Sequence, residues 1–166
     1  MKGGAGVDKR VKRVVYLAML TALTVLATMF LKISWGGGYM NLGDAVILAG
    51  GAVMGPWMAI AAAVGSACAD LLLGYMSYMP ATFVIKGLMG FFAGRFLAGQ
   101  KNKARAALVM ALCEAFMIAG YFLFEMIVFG TGYAVASLLP NAVQGALSFL
   151  AAAAFRPFFA RVRAAM

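Results

Sequence analysis

Three charged side chains lie within one long apolar stretch of this chain, residues 39–90. They are Asp44, Asp70 and Lys86. A charged group at bilayer depth is energetically costly unless it is paired, hydrated or in contact with a bound molecule. The pattern therefore predicts that these three side chains lie at or beside a functional site.

Helical rise places Asp70 and Lys86 at one level of a membrane bundle. Asp70 falls about 21 Å up a hydrocarbon core of roughly 30 Å, and Lys86 falls about 9 Å below its outer surface. Opposite charges at one depth can neutralise each other. A structural ion pair between these two residues is therefore the alternative to a role in binding.

Further polar side chains are predicted to reach the same outer level. Asn141 and Gln144 follow Pro140, whose ring frees a backbone carbonyl, and Glu125 shares a helix face with Tyr121. Carboxylates, amides, an ammonium group and aromatic rings at one outward-opening level favour binding of a small, polar, ring-containing molecule. The candidate substrate-binding residues are Tyr39, Asp44, Asp70, Tyr78, Lys86, Tyr121, Glu125, Asn141 and Gln144.

Simpler roles stay open for several of these side chains. Asn141 and Gln144 also fit hydrogen bonding between helices, and Tyr121 also fits packing inside the bundle. Glu114, near mid-depth, fits either a proton- or cation-binding group or a packing residue.

The composition is that of an integral membrane protein. Hydrophobic residues make up 65% of the 166 residues and charged residues 11%, whereas about a quarter of a soluble domain is charged. The mean hydropathy is +0.95. Most apolar runs are long enough to cross a bilayer as helices. The fold class predicted is an all-α bundle of six transmembrane helices, at about residues 14–32, 41–54, 56–73, 80–98, 104–129 and 133–155, the last interrupted by Pro140.

Basic residues flank the predicted helices on one side. The net charge of +9 is concentrated in a tail of residues 1–13, a loop around Lys101 and a tail of residues 156–166, on either side of a membrane domain of residues 14–155. Lys and Arg near span ends mark the cytoplasmic side, so both termini are predicted to be cytoplasmic, with the chain in the lipid bilayer of the cell membrane. No basic stripe with interleaved aromatic residues occurs, so nucleic acid is not an expected partner.

Metal and catalytic chemistry find little support in the sequence. The chain has no histidine, and Cys68 and Cys113 both lie inside apolar runs. Neither a common metal site nor a disulfide framework is indicated, and no cofactor is expected. An intramembrane enzyme that uses Asp70 or Glu114 would lack the commonest general base and a recognisable nucleophile, so an enzyme is disfavoured.

Two segments have features of contact surfaces. Ala18 and Ala22 form a small-xxx-small pattern, which lets a helix approach closely, either within the bundle or from a partner. Residues 34–39 combine glycines with aromatic side chains and are predicted to form an irregular loop, either a passive turn or a lid over the site.

Short motifs also run in a fixed order through nearly the whole membrane region. They are NLGDA at 41–45, GPW at 55–57, AD at 69–70, GY at 74–75, YMPAT at 78–82, IKG at 85–87, GYFLFE at 120–125 and PNAVQ at 140–144. In this combination the chain resembles the substrate-binding S components of energy-coupling factor (ECF) transporters. It resembles most the subgroup associated with pyridoxine-type and hydroxymethylpyrimidine-type vitamins.

The resemblance implies a high-affinity binding subunit that captures a vitamin or vitamin precursor from outside. It implies partnership with a membrane T subunit and two cytoplasmic ATPases for ATP-driven uptake, with tilting of the whole subunit in the membrane. It also implies that Ala18 and Ala22 dock on the T subunit and that residues 34–39 form part of a lid. The alternative is a self-sufficient small carrier or channel, for which Glu114 would be the coupling group.

The resemblance further implies which polar residues occupy the binding pocket, although the residues that bind vary with the ligand in this family. The pocket positions that it implies are Lys86, Glu125, Asn141 and Gln144.

Overall fold

The computed structural model describes residues 8–35 and 38–164. The described residues form six α-helices and one β-hairpin. The helices are α1 (Lys9–Phe30), α2 (Gly43–Met54), α3 (Met58–Leu72), α4 (Met79–Leu97), α5 (Lys103–Val128) and α6 (Thr131–Ala164), and the strands are β1 (Lys32–Trp35) and β2 (Gly38–Asn41). Residues 1–7 and 165–166 of the predicted basic tails, and the glycines at 36 and 37, lie outside the described residues.

The surface and interior have the polarity expected of a membrane protein. Four segments are long and apolar enough to cross a bilayer, namely Lys9–Phe30, Gly43–Leu72, Lys103–Val128 and Thr131–Ala164. Large apolar side chains such as Phe83, Leu88 and Phe91 are exposed, whereas Asp44 and Lys86 are buried. A mostly helical membrane protein is therefore confirmed, while six membrane passes and the orientation of the termini stay predictions.

Contacts between α2, α3 and α4 define their relative directions. Asp44 and Gly51 of α2 contact Lys86 and Ala93 of α4, so α2 and α4 run parallel. The α3 residues Met58 and Ala63 lie against Gly90 and Gly87 of α4, respectively, so α3 and α4 run antiparallel. The chain therefore reverses between α2 and α3, at a 3-10 turn, Gly55–Trp57.

The other helices continue this alternation. Thr28 of α1 lies beside Gly43, and Leu20 lies beside Gly50, so α1 and α2 are antiparallel. The antiparallel order of α4, α5 and α6 follows from the pairs Thr82–Tyr121, Phe92–Phe116, Ser137–Glu125 and Gln144–Met117. The ends of α1, α3 and α5 consequently meet the starts of α2, α4 and α6 at one end of the bundle, which supports six passes.

A hairpin replaces the irregular loop predicted for residues 34–39, so the all-α description is incomplete. Strands β1 and β2 are antiparallel, with Lys32 opposite Asn41 and Ser34 opposite Tyr39. Two short runs separated by a Gly-Gly pair are a hairpin signal, which the membrane-helix interpretation of the sequence did not use.

Helix α6 is longer and more continuous than predicted. It runs through both Pro140 and Pro157 to Ala164, so the predicted interruption at Pro140 is wrong and residues 156–164 are helical. Contacts beyond the predicted end hold this extension, because Arg156 donates to the Gln100 carbonyl and Arg163 Nη1 donates to the carbonyl of Ala52 at 3.1 Å. Membrane helices tolerate proline when neighbouring groups compensate for the lost backbone bond.

Close packing of α3 on α4 depends on glycine. A Cβ atom at Gly90 would lie 2.9 Å from the Met58 carbonyl oxygen and 2.9 Å from Ala62 Cβ. The backbone oxygen cannot move away as the tip of a flexible side chain can. Gly90 therefore acts in packing, as the four-residue spacing of Gly90 and Gly94 in α4 predicts.

We expect Gly90→Ala to destabilise the protein although alanine is the better helix former. Overpacking costs about 1–3 kcal/mol, which exceeds the roughly 1 kcal/mol that alanine gains over glycine in a helix. The control is Gly132→Ala in α6, where an added Cβ meets no atom within 4 Å among the described residues. Thermal unfolding in detergent should show a lower midpoint for Gly90→Ala only. Equal midpoints would contradict close packing at this site.

Candidate functional site

A cavity lies at the end of the bundle where the hairpin meets the helix termini. Its volume is about 40 Å³, so the cavity is narrow. Its lining residues come from the hairpin, α3, α5, α6, the start of α4 and the turn before α4. They are Gly38, Tyr39, Asn41, Asp70, Tyr75, Tyr78, Thr82, Tyr121, Glu125, Asn141 and Gln144.

Seven of the nine predicted binding residues line this cavity. The other two, Asp44 and Lys86, are not among the lining residues and lie behind Gln144, with Lys86 Nζ 2.5 Å from Asp44 Oδ1. Gln144 Nε2 donates to Asp44 Oδ2 at 2.6 Å. The charged pair therefore supports the wall of the cavity through Gln144.

The ion pair of Asp70 with Lys86, which the sequence left open as the alternative to a role in binding, does not form. Lys86 pairs with Asp44, because the parallel packing of α2 on α4 brings these two side chains together. Depth along a helix predicts the level of a residue and leaves open which neighbouring helix it faces. The Lys86 ammonium also lies 5.2 Å from the centre of the Tyr121 ring, so α5 contacts the pair as well.

The same polar network holds the hairpin. Gln144 Oε1 accepts a hydrogen bond from the backbone N–H of Asn41 at 2.9 Å. Asn41 Oδ1 in turn accepts from the backbone N–H of Gly43 at 2.8 Å, at the start of α2. We name the chain of contacts through Asn41, Gln144, Asp44 and Lys86 the buried polar network. It joins β2, α6, α2 and α4.

Asp70 is the carboxylate nearest to the hairpin side of the cavity. Its Oδ1 accepts a hydrogen bond from the Tyr39 hydroxyl of β2. Its Oδ2 is buried and has no hydrogen-bond partner among the described residues. The ring of Tyr75 lies 4.8 Å from that of Tyr39, so two aromatic rings cover this carboxylate.

Glu125 has a different environment, because both of its oxygens are bonded. Tyr78 donates to Oε1 at 3.0 Å, and Ser137 donates to Oε2. The Tyr78 hydroxyl also lies 3.1 Å from that of Tyr133. Glu125 thus joins α5 to α6 and to the turn before α4.

Two of the tyrosines outside the helices, Tyr39 and Tyr78, are held as hydrogen-bond donors. Burial, and then the neighbouring Asp70 carboxylate, raise the pKa of Tyr39 above that of a free phenol. Burial, the hydrogen bond with Tyr133 and the charge of Glu125 raise the pKa of Tyr78 in the same direction. Both hydroxyls therefore stay protonated at neutral pH and donate to the carboxylates beside them.

Comparison with known proteins finds relatives among membrane transport proteins. A family profile described as the S component of an ECF-type riboflavin transporter matches residues 8–158. The thiamine precursor transporter HmpT of Lactococcus lactis is 31% identical over 160 residues, which cover 93% of this chain and 91% of HmpT. A Pyrococcus woesei protein, described only as uncharacterized, is 38% identical over 108 residues, or 64% of this chain and 72% of its own length.

The chain belongs to the S-component family of ECF transporters. It is accordingly a multi-pass protein of the cell membrane and a transport component, not an enzyme. A crystal structure of FolT bound with folic acid has a TM-score of 0.71 to this S component and covers 85% of this chain and 90% of the FolT chain. At 19% identity, that likeness shows a shared fold.

The site of this S component includes residues that the sequence analysis did not select. Asn41, Tyr75 and Thr82 all line the cavity, and Thr82 Oγ1 lies 3.0 Å from the Tyr121 hydroxyl. All three occur in the motifs that carry the family resemblance, and they are uncharged. To select them, one would have to know where the hairpin lies and which side of α4 faces the cavity, and charge alone indicates neither.

Glu114 lies outside this cavity, against α6. A Cβ at Gly145 would meet Glu114 Cβ at 3.2 Å, and neither carboxyl oxygen has a hydrogen-bond partner among the described residues. The contact with Gly145 fits a packing role, and a proton- or cation-binding role stays a prediction. The described ranges contain no group of three or more metal-ligating side chains.

A wider cleft of about 680 Å³ at the opposite end of the bundle has different chemistry. Its lining includes four cations, Lys101, Lys103, Arg156 and Arg163, and no aromatic ring or carboxylate. This cleft therefore offers a ring-containing molecule no aromatic surface to stack on. We take the narrow cavity as the candidate site.

We expect Lys86→Met to destabilise this S component, because it leaves the buried Asp44 without its counter-ion. Removal of one partner of a buried ion pair costs about 3–5 kcal/mol. The double variant Lys86→Met/Asp44→Asn should recover most of the loss, since an asparagine oxygen can still accept from Gln144. Unfolding free energies of both variants and of Asp44→Asn alone complete the cycle. If the losses of unfolding free energy in the two single variants simply add in the double variant, the pairing of Lys86 with Asp44 is contradicted.

Proposed function

We propose that this S component captures a vitamin or vitamin precursor from outside the cell, with a hydroxymethylpyrimidine-like or pyridoxine-like heterocycle favoured. The observation that carries the proposal is the narrow cavity with its ring of tyrosines and converging polar groups. Such a lining suits a small aromatic molecule, because the rings stack on it and the polar atoms orient it. The relationship to a thiamine precursor transporter supports the same class of ligand.

The predicted binding residues divide into contacts and supports in this proposal. Asn141 lines the cavity, and its amide makes no hydrogen bond to other described residues, so it is available to a ligand. Gln144 is already bonded to Asn41 and Asp44. Contacts are expected from Tyr39, Asp70, Tyr78, Tyr121 and Asn141, with Glu125 beside them, while Gln144, Asp44 and Lys86 act as supports.

The hairpin acts as a lid in this proposal. Tyr39 lies over Asp70 and Tyr75, and Asn41 is fixed at the base of the same strand. Because the cavity is narrow, entry of a ring requires the Tyr39 side of the hairpin to move outward. The hairpin would close again over the ligand and exclude water.

Uptake is proposed to require a membrane T subunit and two cytoplasmic ATPases, as the family resemblance implies. Ala18 and Ala22 are both exposed on α1, whereas Thr24, Ala27 and Thr28 of the same helix are buried. The small residues thus form a flat outer surface that another helix can approach closely. This exposure favours partner docking over packing within the bundle.

We expect purified protein to bind the pyrimidine or pyridoxine compound at submicromolar concentration without ATP, and Asn141→Ala to weaken that binding. A lost hydrogen bond of about 0.5–1.5 kcal/mol corresponds to a roughly 2- to 13-fold change in Kd. Isothermal titration across a vitamin panel provides the measurement. The melting temperature should stay unchanged, since Asn141 bonds to no other described side chain. A panel without any binder would contradict the proposed function.

We expect Ala18→Trp and Ala22→Trp to abolish uptake in cells while leaving ligand binding intact. The matched controls are Ala115→Trp and Ala119→Trp, since these alanines have the same four-residue spacing and are also exposed. Radiolabelled uptake, with and without the ECF ATPases, is the readout. Equal loss in all four variants would indicate a general effect of bulk, and full uptake without ATPases would favour a self-sufficient carrier.

A further inference from the structure

The geometry points to a ligand that is neutral or cationic and that donates a hydrogen bond from nitrogen to Asp70 Oδ2, while anionic forms of the same molecule are excluded. This inference rests on the proposed function, because it concerns the ligand of the same cavity. It separates an amine-bearing heterocycle from its phosphate ester or carboxylate.

The first observation is the sign of the charge around the cavity. Asp70 and Glu125 are both lining residues, and no lysine or arginine occurs among the lining residues of the described chain. The cation behind the wall, Lys86, is 2.5 Å from Asp44 and is therefore already paired. A bound anion would face two carboxylates with no cation among the lining residues, since Lys32 Nζ lies outside the lining, 5.7 Å from the centre of the Tyr39 ring. Burial makes an uncompensated charge expensive.

The second observation is the unequal state of the two carboxylates. Glu125 accepts one hydrogen bond on each oxygen, from Tyr78 and from Ser137. Asp70 accepts one, from Tyr39, and its Oδ2 is buried with no donor within hydrogen-bond distance among the described residues, although the Thr82 hydroxyl lies near this carboxylate. A buried acceptor without a donor is costly in free energy. A ligand that donates a hydrogen bond to Oδ2 would remove that cost, and this adds to its binding free energy. Asp70 is therefore the anchor, and Glu125 is its matched comparison.

Nitrogen suits this position better than a hydroxyl group. An amine or a protonated ring nitrogen brings positive charge into a lining that otherwise has only negative formal charge, and charge-assisted hydrogen bonds are about twice as strong as neutral ones. The neighbouring rings of Tyr39 and Tyr75 add a surface on which a cationic or electron-poor ring can stack.

The test compares three ligands on wild-type protein by competition titration. The parent is 4-amino-5-hydroxymethyl-2-methylpyrimidine, and the other two are its phosphate monoester and the analogue without the amino group. Pyridoxamine, its phosphate and pyridoxine form a second set. We expect the phosphate to bind at least about 100-fold more weakly than its parent, and loss of the amine to weaken binding about 10- to 100-fold, the range for a charged hydrogen bond.

The protein variants are Asp70→Asn and Glu125→Gln. Asp70→Asn should weaken the amine ligand about tenfold or more and should remove most of the difference between the amine and its deaminated analogue. Glu125→Gln should preserve that difference, because its oxygens are bonded within the protein. Asparagine keeps an acceptor for Tyr39, and the melting temperature of each variant reports folding.

Each result has a defined meaning. Equal affinity for a parent and its phosphate would overturn the exclusion of anions, and an undiminished amine preference in Asp70→Asn would overturn the anchor role. In either case the protein would still be a vitamin-binding subunit. Failure of both parent compounds and of the whole vitamin panel to bind would instead overturn the proposed function itself.

Discussion

The buried ion pair between Lys86 and Asp44 is the constraint on which the rest of the site depends. Two opposite charges can remain inside an apolar bundle only if they touch each other and have their remaining hydrogen-bonding capacity met. Asp44 meets this condition through Lys86 on one oxygen and Gln144 on the other. The requirement fixes how α2, α4 and α6 face one another, and Gln144 extends it to Asn41 at the base of the hairpin.

This constraint explains why so few polar residues suffice to build a site. The described chain is apolar on its outer surface and places Asp70, Thr82 and Glu125 inside, near the hairpin end. Helix alternation brings the termini of all six described helices to that end, so short-range hydrogen bonds join segments far apart in the chain. The basic cleft at the opposite end has no aromatic ring in its lining, so the cavity at the hairpin end is the better suited of the two to stacking.

The sequence was sufficient to predict a mostly helical membrane protein and the level at which most of the selected polar side chains meet. Charges in apolar runs indicated Asp70 and Glu125, and helix spacing placed Asn141 and Gln144 near them. It was insufficient for pairing, since Asp44 and Asp70 lie at similar depth and only the packing of α2 on α4 decides which one meets Lys86. The hairpin was missed because its residues were interpreted as an irregular loop, and Tyr75 was not selected because only the folded structure brings its ring beside that of Tyr39. Helix α6 continues past Pro157 because its arginines donate to carbonyl groups of other segments.

The hairpin has two kinds of attachment, and the difference between them bears on how a lid can open without loss of the fold. Tyr39 and Asn41 lie on the same face of β2, since side chains alternate along a strand. Asn41 is bonded through its backbone N–H to Gln144, whose other end is held by the ion pair, so release of this end would expose the charged core. Tyr39 is held by a single hydroxyl bond to Asp70, which a ligand donor could replace. Strand β2 is therefore held firmly at Asn41, beside α2, and exchangeably at Tyr39, over the cavity. This is the arrangement that the proposed entry of a ligand requires.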